Sequence, residues 1–223
     1  MKQAVLGAIA LAAALAGMAP SAAAQVRGIP VYNAGIPRGI GIYGDVGFSN
    51  DDAGGGTAYG ITGRAGLGVI GFTGTLASYD PEAADASITV GATVNYRVFG
   101  GPLVPLAVTL QGGVGYFSPD NGSPFDFADS ELHFPVGVGF ALTIPNPILA
   151  VRPWLAPRLD LTTRKIEGGD TDTDANFALS GGLELNTLSG FGIQATYDAI
   201  FADGGTPGVF GIGAHYTFRV PGL

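Results

Sequence analysis

Between Ile88 and Tyr116 apolar and polar residues change places at nearly every position. Ile88, Val90, Ala92, Val94, Tyr96 and Val98 alternate with Thr89, Gly91, Thr93, Asn95 and Arg97. Beyond a break at Phe99–Pro105, Leu106, Val108, Leu110, Val114 and Tyr116 alternate with Ala107, Thr109, Gln111, Gly113 and Gly115. A period of two belongs to a strand with one apolar and one polar face. The glycines and prolines of the break suit a tight reversal. The stretch therefore predicts a β-hairpin, and its pattern recurs along most of the chain.

Besides this hairpin, the alternation predicts strands over 39–49, 57–66, 69–79, 132–144, 149–162, 177–188, 191–202 and 208–220. Pro153 and Pro157 predict a bulge or an irregular edge in the 149–162 strand. Polar loops are expected at 50–56, 80–85, 118–131, 164–176 and 203–207, alternating with short Gly- and Pro-containing turns. Long loops on one side and short turns on the other are the habit of membrane-spanning barrels, whose tilted strands need about 9–11 residues. The expected fold is all-β: an antiparallel up-and-down transmembrane β-barrel over 39–220, with ten strands, or eight as the alternative. In that register Val138→Lys would put a charge in lipid, whereas Gly139→Ser would put only a hydroxyl in the lumen.

The ends add a compartment. Met1–Ala24 reads as a cleavable signal peptide, with Lys2, the apolar Ala4–Ala16 run and the small residues Ala22, Ala23 and Ala24. Residues 25–38 are expected to form an irregular periplasmic lead-in, and 221–223 a short tail. The absence of cysteine excludes a disulfide scaffold and thiol chemistry in an exported chain. The polar strand faces carry Gly, Thr, Ala, Ser, Asn and Gln rather than the lysine and glutamate of a water-facing sheet.

Charge sharpens this reading. Fourteen of the eighteen acids lie in or beside the polar loops; Asp45, Asp160, Glu184 and Asp198 fall on polar strand faces, and none points outward. A charge facing lipid near the midplane costs up to roughly 2–4 kcal/mol, so a bilayer enforces such avoidance. With a formal net charge of −8 the chain has no basic footprint for nucleic acid.

The chain resembles the small outer-membrane β-barrel proteins of Gram-negative-type bacteria, the group of outer-membrane-protein-A-like and opacity-like barrels. The resemblance covers 39–220, without an appended peptidoglycan-binding domain. Its most specific piece is Gly213-Ala-His-Tyr216-Thr-Phe218. This is similar to the last-strand signal read by the barrel assembly machinery, though here the chain continues through Arg219 to Leu223. The resemblance implies a location in the bacterial outer membrane, with the lipid bilayer and, during insertion, the assembly machinery as partners.

Candidate chemistry is sparse. Gly39-Ile-Gly41-Ile-Tyr-Gly44 and Gly66-Leu-Gly68-Val-Ile-Gly71 match a dinucleotide fingerprint, but neither sits between a strand and a helix. Asp170-Thr-Asp172-Thr-Asp174 resembles the start of a calcium loop, but Ala175 and Gly181 replace the required glycine and glutamate. His133, beside Ser130 and Glu131, and His215 face inward and raise the chance of serine–histidine–acid chemistry without a further supporting motif. The inward charges are Asp45, Arg64, Arg97, Arg152, Arg158, Asp160, Glu184, Asp198 and Arg219, joined by His215. Their mixed signs suit a salt-bridged interior, and inward Trp154 favours a filled one; the rival reading is a charged constriction in a narrow pore.

The leading expectation is a non-enzymatic surface or structural barrel with a largely filled lumen and no cofactor. The alternative is a narrow passive channel for small solutes or ions, and the third reading is an outer-membrane lipid-modifying enzyme.

Overall fold

The computed structural model describes residues 26–82, 85–101, 104–118, 130–165 and 171–218. The expected signal peptide, Arg219, the C-terminal tail and several loop acids lie outside them. Ten strands follow in chain order: β1 (Ile40–Ser49), β2 (Thr57–Leu67), β3 (Ile70–Asp80), β4 (Ser87–Gly101), β5 (Val104–Phe117), β6 (Ser130–Leu142), β7 (Leu149–Lys165), β8 (Thr171–Thr187), β9 (Phe191–Phe201) and β10 (Gly208–Phe218). Each pairs antiparallel with its sequence neighbours, and β1 closes on β10 from Ile40↔Phe218 to Ser49↔Val209. The fold is thus a closed, up-and-down, ten-stranded barrel, and closure removes every sheet edge around the wall.

Burial follows the period of two, with the usual polarity reversed. Outward residues are apolar and exposed, as at Ile42, Ile61 and Val136, whereas inward residues are polar and buried, as at Thr62, Thr89 and Asp160. Exposed aromatics gather in two bands. Phe48, Tyr59, Phe134, Phe177 and Phe210 lie toward the end carrying the longer connections, here the loop end. Phe72, Tyr96, Phe140, Phe191 and Tyr216 lie toward the opposite, turn end. Aliphatic side chains fill the belt between them.

At the loop end the first connection is tied down. Asn50 caps the one-turn 3₁₀ helix Asp51–Ala53 by accepting from the Ala53 N–H at 3.0 Å. Buried Tyr79 donates to the carbonyls of Ala53 and Gly55, at 3.0 and 2.7 Å. Asp52 accepts from the Thr206 N–H at 2.7 Å, fastening this connection to the one before β10.

Three local expectations are corrected. The 164–176 loop is largely strand: β7 runs to Lys165 and β8 starts at Thr171, with Arg164 paired to Asp172 and Thr162 to Asp174. Both faces are polar there, so apolar alternation gives no signal. Pro153 and Pro157 create no bulge, since β7 keeps one register with β8 throughout, though its ladder with β6 skips Val138 and Gly139 opposite Pro157 and Ala156. The register shifts fall instead in β4, between Arg97 and Phe99 and between Phe99 and Gly101, where Gly100 takes a φ of 95°. The third correction concerns residues 25–38, expected as a periplasmic lead-in. From Val26 to Ile36 this segment lies inside the barrel and is almost wholly buried.

Candidate functional site

The site is the lumen, and its least expected occupant is the chain's own N-terminal segment. Val26 and Arg27 sit at the loop end, where the Arg27 N–H donates to Thr89 Oγ1 at 3.1 Å and its Nη1 reaches Glu131 Oε2 at 3.3 Å. The segment then descends to Gly39 at the turn end, where β1 begins. Twelve residues, 26–37, reach about 40 Å when extended, ample for an apolar band about 25 Å tall.

Glycines make the room. The space a Cβ would take at Gly47 is occupied by the Gly28 carbonyl, at Gly66 by the Pro37 carbonyl and at Gly139 by the Asn33 side chain. Pro30 lies 2.6 Å from the Cβ position of Gly211, and Ile29 and Ile36 lie 3.2 and 3.1 Å from those of Gly60 and Gly71. Any side chain at the first three positions would collide with the segment. Five side-chain-mediated bonds hold it besides the Arg27–Glu131 pair. The Val31 N–H donates to Asp198 Oδ2 at 3.1 Å, and the Tyr32 hydroxyl to Asp45 Oδ1 at 3.3 Å. Gln111 Nε2 donates to the Tyr32 carbonyl at 2.9 Å, and the Thr109 hydroxyl to Asn33 Oδ1 at 2.8 Å. The fifth is the Arg27 N–H bond to Thr89. Val26, Ile29, Tyr32 and Ala34 pack with Ala58, Ala77, Tyr79, Phe117 and Trp154 into one apolar cluster within an otherwise polar interior.

Two charge systems fill the rest of the lumen, one opposite the glycine wall and one spanning it toward the turn end. The first runs through β6, β7, β8 and β9. Arg158 donates from Nε to Asp160 at 3.3 Å and makes a two-pronged contact with Asp198, at 2.7 and 3.1 Å. Its Nη1 also reaches Ser180 Oγ at 2.5 Å. His133 lies between two carboxylates, with Nδ1 3.3 Å from Asp160 and Nε2 2.6 Å from Glu131. Glu131 also meets Arg27 and Arg164, so a continuous chain of pairs leads from the loop end to mid-lumen. Buried groups of this kind are tolerated out of water when each is paired.

The second system lies toward the turn end. The Arg64 guanidinium is sandwiched between aromatic rings, 4.7 Å from the centre of Tyr32 and 4.1 Å from that of Tyr43. Tyr43 in turn stacks on His215, whose Nε2 lies 2.8 Å from Asn186 Oδ1. Glu184 meets Arg152 at 3.8 Å and accepts from Asn186 at 2.7 Å. Asp45 accepts from Gln194 Nε2 at 2.6 Å.

Of the charges singled out in the sequence, Asp45, Arg64, Arg152, Arg158, Asp160, Glu184, Asp198 and His215 all face the lumen. Arg97 stands apart at the turn-end mouth, donating to the Gly68 carbonyl at 2.8 Å rather than to an acid. Arg219 lies outside the described residues. Tyr216 and Phe218 face outward and meet edge-on with 4.8 Å between ring centres, while Gly213 pairs with Asp45 at the β1–β10 seam. Both His133 nitrogens are occupied by Glu131, Asp160 and Thr162, and no serine hydroxyl is among their hydrogen-bond partners. Asp172 and Asp174 lie extended on β8 and do not curl as a calcium loop does. Sequence reasoning missed Arg27, Tyr32, Asn33 and the joining role of Glu131. The available signal was the run of inward glycines on β1, β2, β3 and β10.

No family model matches the chain, and no curated protein does. The chain is similar to outer-membrane β-barrels of known structure. One is the N-terminal barrel domain of Pseudomonas aeruginosa OprF, at 12% identity and a TM-score of 0.40, covering 81% of this chain and 98% of that one. Another is Ail, the attachment invasion locus protein of Yersinia pestis, at 16% identity and 0.38, covering 82% and 100%. A third is the translocator domain of the autotransporter NalP from Neisseria meningitidis, at 14% identity and 0.38, covering 81% and 88%. These are distant likenesses of barrel to barrel.

Proposed function

We propose that the chain is an integral outer-membrane barrel with a structural or surface-interaction role, non-catalytic and closed at rest. One observation carries this reading: the wall is apolar and exposed outside, polar and buried inside. Water would not support so much exposed Ile, Leu, Val and Phe on a monomer. A bilayer would, and the two aromatic bands suit its two interfaces. The loop end then faces outward, with Asp51, Asp52, Asp80, Glu82, Asp172 and Asp203 in or beside its connections. Tyr216 and Phe218, with Gly213, are the residues the assembly machinery would read on the last strand.

The test is folding into lipid. The mature chain should acquire β-structure only with detergent or vesicles, float with the vesicles and migrate differently on a gel before and after boiling. A soluble monomer that folds without either would overturn the reading.

A further inference from the structure

The N-terminal segment fills the lumen without being built into the wall. Among the described residues, the backbone-to-backbone bond joining 26–39 to a strand is that from the Gly66 N–H to the Gly39 carbonyl, at 2.9 Å. The remaining polar ties come from side chains, three of them to neutral Thr89, Thr109 and Gln111. A cavity of about 20 Å³, room for roughly one water, persists between Ile29, Val31 and the Thr73, Thr75 and Thr93 side of the wall.

Taking the segment away would cost Arg64 one of its two aromatic faces, Tyr32, while Tyr43 remains, and each acid would keep a partner. Asp198 would keep Arg158 and Ser180, Asp45 would keep Gln194, and Glu131 would keep His133 and Arg164. The uncovered surface would be mostly glycine backbone with Thr89, Thr93, Asn95, Thr109 and Gln111, which hydrogen-bond to water as readily as to a peptide, beside one apolar patch of Ala58, Ala77, Tyr79, Phe117 and Trp154. A lumen meant only to be packed would be expected to meet its filler with branched apolar side chains. Outside the Tyr79–Phe117–Trp154 patch, this one has a wall that water can wet.

We propose that residues 26–37 are a displaceable cork, and that the barrel conducts small hydrophilic solutes once the cork has left. The proposal rests on the outer-membrane reading. The geometry also sets the direction of release. With the expected leader removed after Ala24, the cork's free end is at the loop end and its tether is at Gly39, on the turn end, so a released segment leaves toward the periplasm while still attached to β1.

Planar-bilayer recordings in potassium chloride, paired with liposome swelling in a neutral monosaccharide, test this on two chains. These are the whole mature protein and the same protein lacking 26–37. Each is first checked for heat-dependent gel migration. The whole protein should be silent apart from brief openings, and the shortened one should give sustained steps and swelling. A shortened protein that is folded yet silent overturns the proposal, as do sustained steps from the whole protein with its cork seated. Should the shortened chain not fold, Gly47→Ala and Gly66→Ala decide. Each sets a methyl where a cork carbonyl lies, so each should raise the open time; folded variants as silent as the parent overturn the proposal. Failure of the whole protein to insert, with no gel shift, counts against the membrane reading instead.

Discussion

Replacing Arg158 with methionine probes what the lumen charges contribute. Methionine fills much the same space without the guanidinium. The Arg158 side chain is 1% exposed, and its loss leaves Asp160 and Asp198 buried at 0% and 1%. Removing one partner of a buried ion pair typically costs about 3–5 kcal/mol. Here each carboxylate keeps a donor, His133 for Asp160 and both Ser180 and the Val31 N–H for Asp198. The expected loss is therefore at the lower end, about 3 kcal/mol. The double variant Arg158→Met/Asp198→Asn removes one stranded charge, keeping an oxygen for the Val31 N–H and turning its amide toward the Ser180 hydroxyl, which can accept instead. It should recover at least about 1 kcal/mol relative to the single variant. Urea unfolding from lipid vesicles reads both. The chain's single tryptophan, Trp154, is buried in the lumen with its ring 6.3 Å from that of Tyr32, so its emission reports lumen packing. A single variant within about 1 kcal/mol of the parent would refute the reasoning, because the cost of a stranded buried charge would then be absent. So would a double variant less stable than the single.

Val136→Lys, mid-strand on β6 and 56% exposed, should cost about 2–4 kcal/mol in the same assay. Thr173→Lys, exposed on the loop-end extension of β8, should stay within about 0.5 kcal/mol. Equal tolerance would mean that the assigned lipid belt is wrong. Arg27→Cys supplies the only thiol of the chain at the loop-end mouth, so a membrane-impermeant maleimide should label it in intact cells; labelling only after the outer membrane is permeabilised would reverse the cork's orientation. Gly139→Ala should shift Trp154 emission by pushing Asn33, and with it Tyr32, off its seat; an unchanged spectrum would mean that the cork does not lie there.

The last of these departs from what the sequence alone implies, and the reason generalises. Gly139 is inward in both readings, but alternation predicts only which face a residue takes, not what stands opposite. It therefore made a serine there look harmless, while the structure fills the space with Asn33. Wherever a strand has one apolar face, as around Ile42, Val94 or Val136, a period of two was enough to find it and orient it. Where both faces are polar, as over Thr171–Asn176, the contrast vanished and a strand read as a loop. Residues 26–38 have no period at all. Their two prolines and two glycines read locally as linker, and only the shape of the distant wall gives them a place. The charges were legible as a set because they are exceptions on small-residue faces. Their pairing was not, since it depends on register across β6 to β9.

The lumen is filled in two different ways, and the difference separates the predictions. Across β6 to β9 it is filled by fixed side chains, Trp154, His133 and the Arg158 cluster, each bonded to neighbours on adjacent strands. Across β10, β1, β2 and β3 glycines open the wall between the fixed Tyr43, Asp45, Arg64 and His215, and most of the filling is a separate stretch of chain. Enlarging a residue on the glycine side therefore displaces the cork and leaves the ladder intact, so conductance should change more than stability. Neutralising a residue on the charged side strands its partners inside the wall, so stability should fall whether or not the cork is seated. If Gly47→Ala lowered the unfolding midpoint as much as Arg158→Met without any change in conductance, the segment would have to be part of the barrel's core, and the division between a fixed wall and a movable filling would fail.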